Sequence, residues 1–199
     1  MAKVRAFVAI ELDASLRTAL AVAQDALRRQ VSLSVRWVRP EGIHLTLQFL
    51  GSIQADLLKA IEGRLEAVAG RSSPFRIQLG GLGGFPSLER PSVLWVGLAG
   101  EVDLLSTLQA RLETELESLG LPKEGRPFHP HLTLGRVRTG HRAGGRPAAS
   151  GLAQAIGTPI GEQLVERISL MKSSLTADGA RYTQLAFANL ATGLSAQEP

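Results

Sequence analysis

The chain contains no cysteine. Disulfides, a thiol nucleophile and a cysteine-based zinc site are therefore excluded, and the signature of an oxidised, secreted protein is missing. Nor is there an apolar run approaching the length that spans a bilayer. The apolar stretch in "MAKVRAFVAIEL" lasts only a few residues before Glu11, too short for the core of a signal peptide. These absences lead to the expectation of a soluble, cytoplasmic protein without membrane association. Lysine is scarce, 4 residues beside 18 Arg, so the net charge of +4 is carried mostly by guanidinium groups. What is present is ordinary for a folded protein: 199 residues with 44% apolar and 20% charged suit one compact domain, or two small lobes, around a sizeable core.

Periodicity supplies the elements. Val4 to Leu12 reads as a buried strand, and Asp13 or Ser15 can cap a helix to about Gln30 with Leu16, Leu20, Ala23 and Leu27 on one face. "SVRWV" is a short strand stopped by Pro40. Ile43 to Leu50 is a strand closed by Gly51, and Asp56 to about Val68 is an amphipathic helix. A strand from Phe75 to Leu79 runs into "GGLGGFP", read as a turn, before the strand "SVLWVGL". "GGLGG" lacks the Lys-Ser/Thr of a phosphate-binding loop and no helix opens after it, so no nucleotide-triphosphate site is expected. A second helix-loop-strand series follows: a helix over about 102–119 with Leu104, Leu105, Leu108, Leu112, Leu116 and Leu119 as its stripe, the loop "LPKEGRPFHP", and a strand from His131 to Val137. Then come a basic loop, a short helix near Leu152 to Ile156, and long strands over Gln163 to Leu175 and Arg181 to Leu190 joined by "TADG", with a frayed tail at 195–199. Mixed helices and strands with many short returns predict an α+β fold with largely antiparallel sheets.

Four histidines are present, and two stand in identical tetrapeptides, His44-Leu45-Thr46-Leu47 and His131-Leu132-Thr133-Leu134. Composition alone gives about 0.2 His-x-Thr triplets in such a chain, before leucines are demanded beside each. The repeat needs a cause: duplication of a structural unit, or one chemical task that uses the same group twice. On a strand, residues i and i+2 share a face, so His44 with Thr46, and His131 with Thr133, point away from the core, while Leu45, Leu47, Phe49, Leu132 and Leu134 point into it. If the two halves face each other, two imidazoles and two hydroxyls converge. Two imidazoles titrating near neutrality can serve as base and acid in one turnover, which displacement at phosphorus requires, and threonine hydroxyls can donate to non-bridging oxygens. Such a pair gives a bell-shaped pH dependence centred near neutrality and needs no cofactor. Arg136 at the end of the second strand can add a charge-assisted contact. A metal reading uses His129 and His131 at i, i+2, but no convincing third ligand lies nearby in sequence. His141 falls in a Gly/Arg-rich loop and is expected to be exposed. Lys123, Arg126, Arg136, Arg138, Arg142 and Arg146 crowd one segment with Glu124 as the only acid, which suits either a solvated loop or the approach of a polyanion.

The order of "RAFVAIEL", "WVRPEGIHLTLQFLG", "GGFPSLERPSVLWVGL", "FHPHLTLGRVR" and "ISLMKSSLTADGARYTQL" resembles the two-histidine phosphoesterases with paired His-x-Thr motifs, in their RNA 2′,3′-cyclic phosphodiesterase (2′-5′ RNA ligase-like) branch. The resemblance covers nearly the whole chain. It implies one bilobal, pseudo-twofold unit over 1–199, each lobe an antiparallel sheet backed by helices, with both motifs in a central cleft. It also implies metal-independent hydrolysis of an RNA terminal 2′,3′-cyclic phosphate to a 2′-phosphomonoester. The expected partners are RNA with such ends or related cyclic nucleotides, and the expected state is a monomer. His44 resembles the family's proton donor to the departing 3′ oxygen and His131 its proton acceptor, while Thr46 and Thr133 match the phosphate-binding hydroxyls. Arg136 falls where many members keep a basic residue, after Gly135 in place of the commoner Ala. The first strand ends "ELD" where "LP" is frequent. Two other activities fit the same motifs: 2′-5′ ligation by the reverse reaction, and RNA-end binding with little turnover, with Phe49 and Trp95 read as core residues.

Overall fold

Strands and helices form close to where alternation and helical spacing place them. A computed structural model describes residues 2–31, 33–138, 159–176 and 179–192. In chain order these hold β1 (Lys3–Glu11), α1 (Ala14–Gln30), β2 (Val35–Trp37), β3 (His44–Gln54), α2 (Leu58–Ala69), β4 (Phe75–Phe85), β5 (Val93–Gly100), α3 (Val102–Glu117), β6 (His131–Val137), β7 (Gly161–Val165), β8 (Arg167–Thr176) and β9 (Gly179–Asn189). Asp13 rather than Ser15 caps α1, its carboxylate accepting from Leu16 N–H at 2.8 Å.

Every strand pairing is antiparallel, in the order β7-β4-β5-β6-β3-β1-β8-β9 with β2 also on β6. The α+β antiparallel expectation holds, and the order reads as two four-stranded halves about a pseudo-twofold. The unit β1-α1-β3 of the first half answers to β5-α3-β6 of the second. The two halves join edge to edge where β3 meets β6 in one bridge, Leu45 opposite Leu132, continued along β6 by the three β2 pairs, into a nine-stranded sheet. Both leucines are fully buried, each stabilising the seam by about 1.5–3 kcal/mol relative to exposure. Leu16, Leu20 and Leu27 of α1, Ile61, Leu65 and Val68 of α2, and Leu105, Leu108, Leu112 and Leu116 of α3 share one core with Val8, Ile10, Leu45, Leu47, Leu132 and Leu134. Leu104, expected in that stripe, is 46% exposed, one position off the α3 face that packs inward.

Tertiary pairing overrides local sequence in three places. "GGLGG" is strand and not turn: β4 runs through it to Phe85, paired with β5 throughout. Gly81 adopts φ +74 at a register shift, and a Cβ on Gly83 would run into the Trp95 ring, so the first serves the bulge and the second a close approach. β3 does not stop at Gly51 but continues to Gln54, Gly51 taking φ +71 within the strand. The run from Gln163 to Leu175 divides at Glu166. β7 pairs β4 in the second half while β8 pairs β1 in the first, a change of partner that alternation cannot encode. The short helix at 152–156, His141, Arg142, Arg146, the centre of "TADG" and the tail at 195–199 lie outside the described residues.

Candidate active site

The Leu45/Leu132 bridge aligns the two motifs. Its leucines face the core, so the flanking residues face the other side of the sheet, and antiparallel register sets His44 beside Thr133 and Thr46 beside His131. All four side chains are half-buried. Ideal strand spacing puts the two histidine Cα atoms about 8 Å apart on a diagonal. The structure thus brings His44, Thr46, His131 and Thr133 onto one open face around the twofold.

Each imidazole is oriented in the same way. Nδ1 of His44 donates to the Gly42 carbonyl at 2.8 Å, and Nδ1 of His131 to the His129 carbonyl at 2.6 Å. A carbonyl only accepts, so the proton of the neutral ring sits on Nδ1 and Nε2 is left to exchange protons with a ligand. Rings pack around both: Phe7 stacks on His44 with centroids 4.7 Å apart and Tyr182 meets it edge-on at 4.9 Å, while Phe85 meets His131 edge-on at 5.0 Å and Trp95 lies 6.1 Å away. Burial in these aromatic surroundings pushes both histidines below the ordinary 6.5.

Two matched bulges decide what else reaches this face. In β3 the register with β1 slips at Leu47, between the pairs Thr46/Ala9 and Gln48/Val8. In β6 the register with β5 slips at Leu134, between Thr133/Trp95 and Gly135/Leu94. Simple alternation would send the fifth residue after each histidine to the core. The bulge returns it to the open face, and this corrects the reading of Phe49 as core: it is 58% exposed, with its ring 6.2 Å from Phe7. Its twofold mate is Arg136, also exposed and close enough that its charge lowers the His131 pKa. Trp95, likewise read as core, is half-buried with its ring over Gly83.

The halves differ beside their histidines. Glu11 stands opposite His44, whereas Gly97 occupies the matching place opposite His131. The Glu11 carboxylate accepts from Ser169 Oγ at 2.8 Å and from Gln184 Nε2 at 2.6 Å, and its charge works against the depression of the His44 pKa. The charges of His129 and Arg136 act on His131 in the opposite sense. Glu11, Phe7, Tyr182 and Phe85 were not legible as site residues from the motifs alone. Aligning "VAIEL" with "LWVGL", the strands that precede each helix, would have set Glu11 against Gly97. His129 is exposed, and among the described residues no group of three His, Asp or Glu side chains is placed to hold a metal ion.

The family model described as LigT-like phosphoesterase matches residues 10–95 and, separately, 96–182, so the two halves of the chain each match it. An RNA 2′,3′-cyclic phosphodiesterase of Methanothermobacter thermautotrophicus is 35% identical over 187 residues, which is 92% of this chain and 97% of its own length. Among solved structures, a Thermus thermophilus protein superposes with a TM-score of 0.77 at 30% identity, covering 94% of this chain and 97% of that one. Escherichia coli LigT complexed with 3′-AMP gives 0.74 at 27% identity over 96% and 100%. No helix among the described residues is long and apolar enough to cross a membrane.

Proposed function

Because the chain belongs to the LigT-like phosphoesterase family, we propose that it hydrolyses the 2′,3′-cyclic phosphate at an RNA end to a 2′-phosphomonoester, with His131 as base, His44 as acid and no metal. The observation that carries the reading is the pair of Nδ1-anchored imidazoles whose free Nε2 atoms serve one face. His131 Nε2 takes a proton from water as its oxygen bonds to phosphorus. The P–O3′ bond breaks and His44 Nε2–H protonates the departing oxygen, leaving a 3′-hydroxyl and a 2′-phosphate. The Thr46 and Thr133 hydroxyls donate to the non-bridging oxygens as negative charge gathers there, and Arg136 adds positive potential from the His131 side without contacting the reacting phosphate. Glu11 supports the assignment of the acid, since a carboxylate beside His44 favours its protonated form and Gly97 offers His131 nothing equivalent.

The test is an oligoribonucleotide ending in a 2′,3′-cyclic phosphate, incubated with and without a strong chelator. Equal turnover in both is the expected result. Loss that zinc or manganese restores would transfer the chemistry to a metal bound through His129 and His131.

The histidine environments shift the expected pH profile. The rate of the free enzyme rises as the base loses its proton and falls as the acid loses its own. Both groups lie below 6.5, so the kcat/KM optimum for a cyclic mononucleotide falls on the acid side of 6.5 rather than at neutrality. The two limbs belong to the coupled pair. An optimum at neutrality or above contradicts the burial account.

A further inference from the structure

The basic residues that crowd the sequence around the second motif sort into two kinds. Lys123 pairs with Glu117 at 2.7 Å and Arg126 with Glu124 at 3.3 Å, so that part of the segment is neutralised locally. Arg136 and Arg138 have no acidic partner among the described residues, and a third unpaired guanidinium joins them from elsewhere in the chain. β2 pairs with β6 so that Arg36 stands directly opposite Arg136, and Arg36, Arg136, Val137 and Arg138 line one pocket. Like charges placed opposite each other weaken a strand pair, so the fold bears a cost here that a bound anion would offset. Register fixes the side: the bulge at Leu134 puts Arg136 on the face of His131 and Thr133, and Arg36 opposite it and Arg138 two residues on share that face. The twofold mate of Arg136 is the apolar Phe49, so the two ends of the site differ at this position.

We infer that Arg36, Arg136 and Arg138 form a second phosphate subsite, which takes the 5′-phosphate of the terminal nucleoside while its cyclic phosphate lies between the histidines. The inference rests on the hydrolase reading for the placement of the cyclic phosphate. A 2′,3′-cyclic phosphate ends an RNA, so any further phosphate must leave through the 5′ oxygen of that same nucleoside. The β5 partners of His131 and Arg136 are Gly97 and Val93. Four residues of strand are about 13 Å, an interval that a ribose and its 5′ carbon, met by the reach of an arginine side chain, can bridge. Planar guanidinium forks suit phosphate oxygens, and three of them favour a phosphorylated nucleoside over a bare one.

Titration calorimetry on the intact protein with adenosine 2′-phosphate and adenosine 2′,5′-bisphosphate tests the subsite without any turnover. The bisphosphate should bind at least about tenfold more tightly at low salt, with the advantage shrinking as salt rises. In the double variant Arg36→Gln, Arg138→Gln the two ligands should bind within about twofold of each other. Equal affinities in the unaltered protein, or an advantage that survives in the double variant, overturn the subsite. Turnover of adenosine 2′,3′-cyclic phosphate, measured beside it, reports on the hydrolase reading: no turnover with the tenfold preference intact would sink that reading and still support an anion site at the three arginines.

Discussion

Replacing His131 or His44 with alanine is expected to lower kcat/KM for a cyclic phosphate-ended RNA by about 10²- to 10⁴-fold, the usual contribution of a positioned acid or base. The loss should come from chemistry and not from unfolding. Both side chains lie on the open face, away from the core that α1, α2 and α3 share with the strands. Truncation removes one hydrogen bond to a backbone carbonyl and some ring packing, chiefly Phe7 against His44, while the Leu45/Leu132 seam stays whole. Thermal unfolding of each variant should therefore remain a single cooperative transition within a few degrees of the parent. Turnover within threefold of the parent in either variant, with folding intact, would remove that histidine from the mechanism.

A leaving group that needs no proton should separate the two histidines. With a 3′-thio cyclic phosphate the departing sulfur carries negative charge readily, so the acid becomes dispensable while water still needs a base. His44→Ala should recover most of its lost rate, on the order of 10²-fold relative to its defect with oxygen, and His131→Ala should recover little. Identical motifs leave the division of labour open; the unequal neighbours, Glu11 on one side and Gly97 and Arg136 on the other, are the physical reason to expect this order. Rescue of His131→Ala instead would reverse the roles.

The paired motifs carried most of the site into view because a strand period of two is a local property. His44, Thr46, His131 and Thr133 face together wherever their strands pair, and the leucines between them name the core side. What escaped depends on register. Phe49 and Arg136 stand five residues after their histidines, and whether they face core or cleft is decided by bulges at Leu47, which no glycine or proline adjoins, and at Leu134, where Gly135 alone adjoins the slip. Arg36 joins Arg136 only through the β2-β6 pairing, far apart in sequence. The glycines at 80–84 misled for the opposite reason: a cluster that usually signals a turn here lies in a strand, where Gly83 clears space for the Trp95 ring and Gly81 takes a positive φ at a register shift. The basic segment divides only once its acids are placed, since Glu117, the partner of Lys123, lies in α3 and not in the segment itself.

The central claim is that water attacks phosphorus and the 3′ oxygen departs. It is tested most directly by following the terminal phosphate by phosphorus NMR during turnover in ¹⁸O-labelled water, with an oligoribonucleotide that ends in a 2′,3′-cyclic phosphate. The account predicts a single product, a 2′-phosphomonoester carrying one ¹⁸O atom on phosphorus. A 3′-phosphomonoester, a product without the label, or a cyclic phosphate left unchanged by protein with both histidines intact would contradict it.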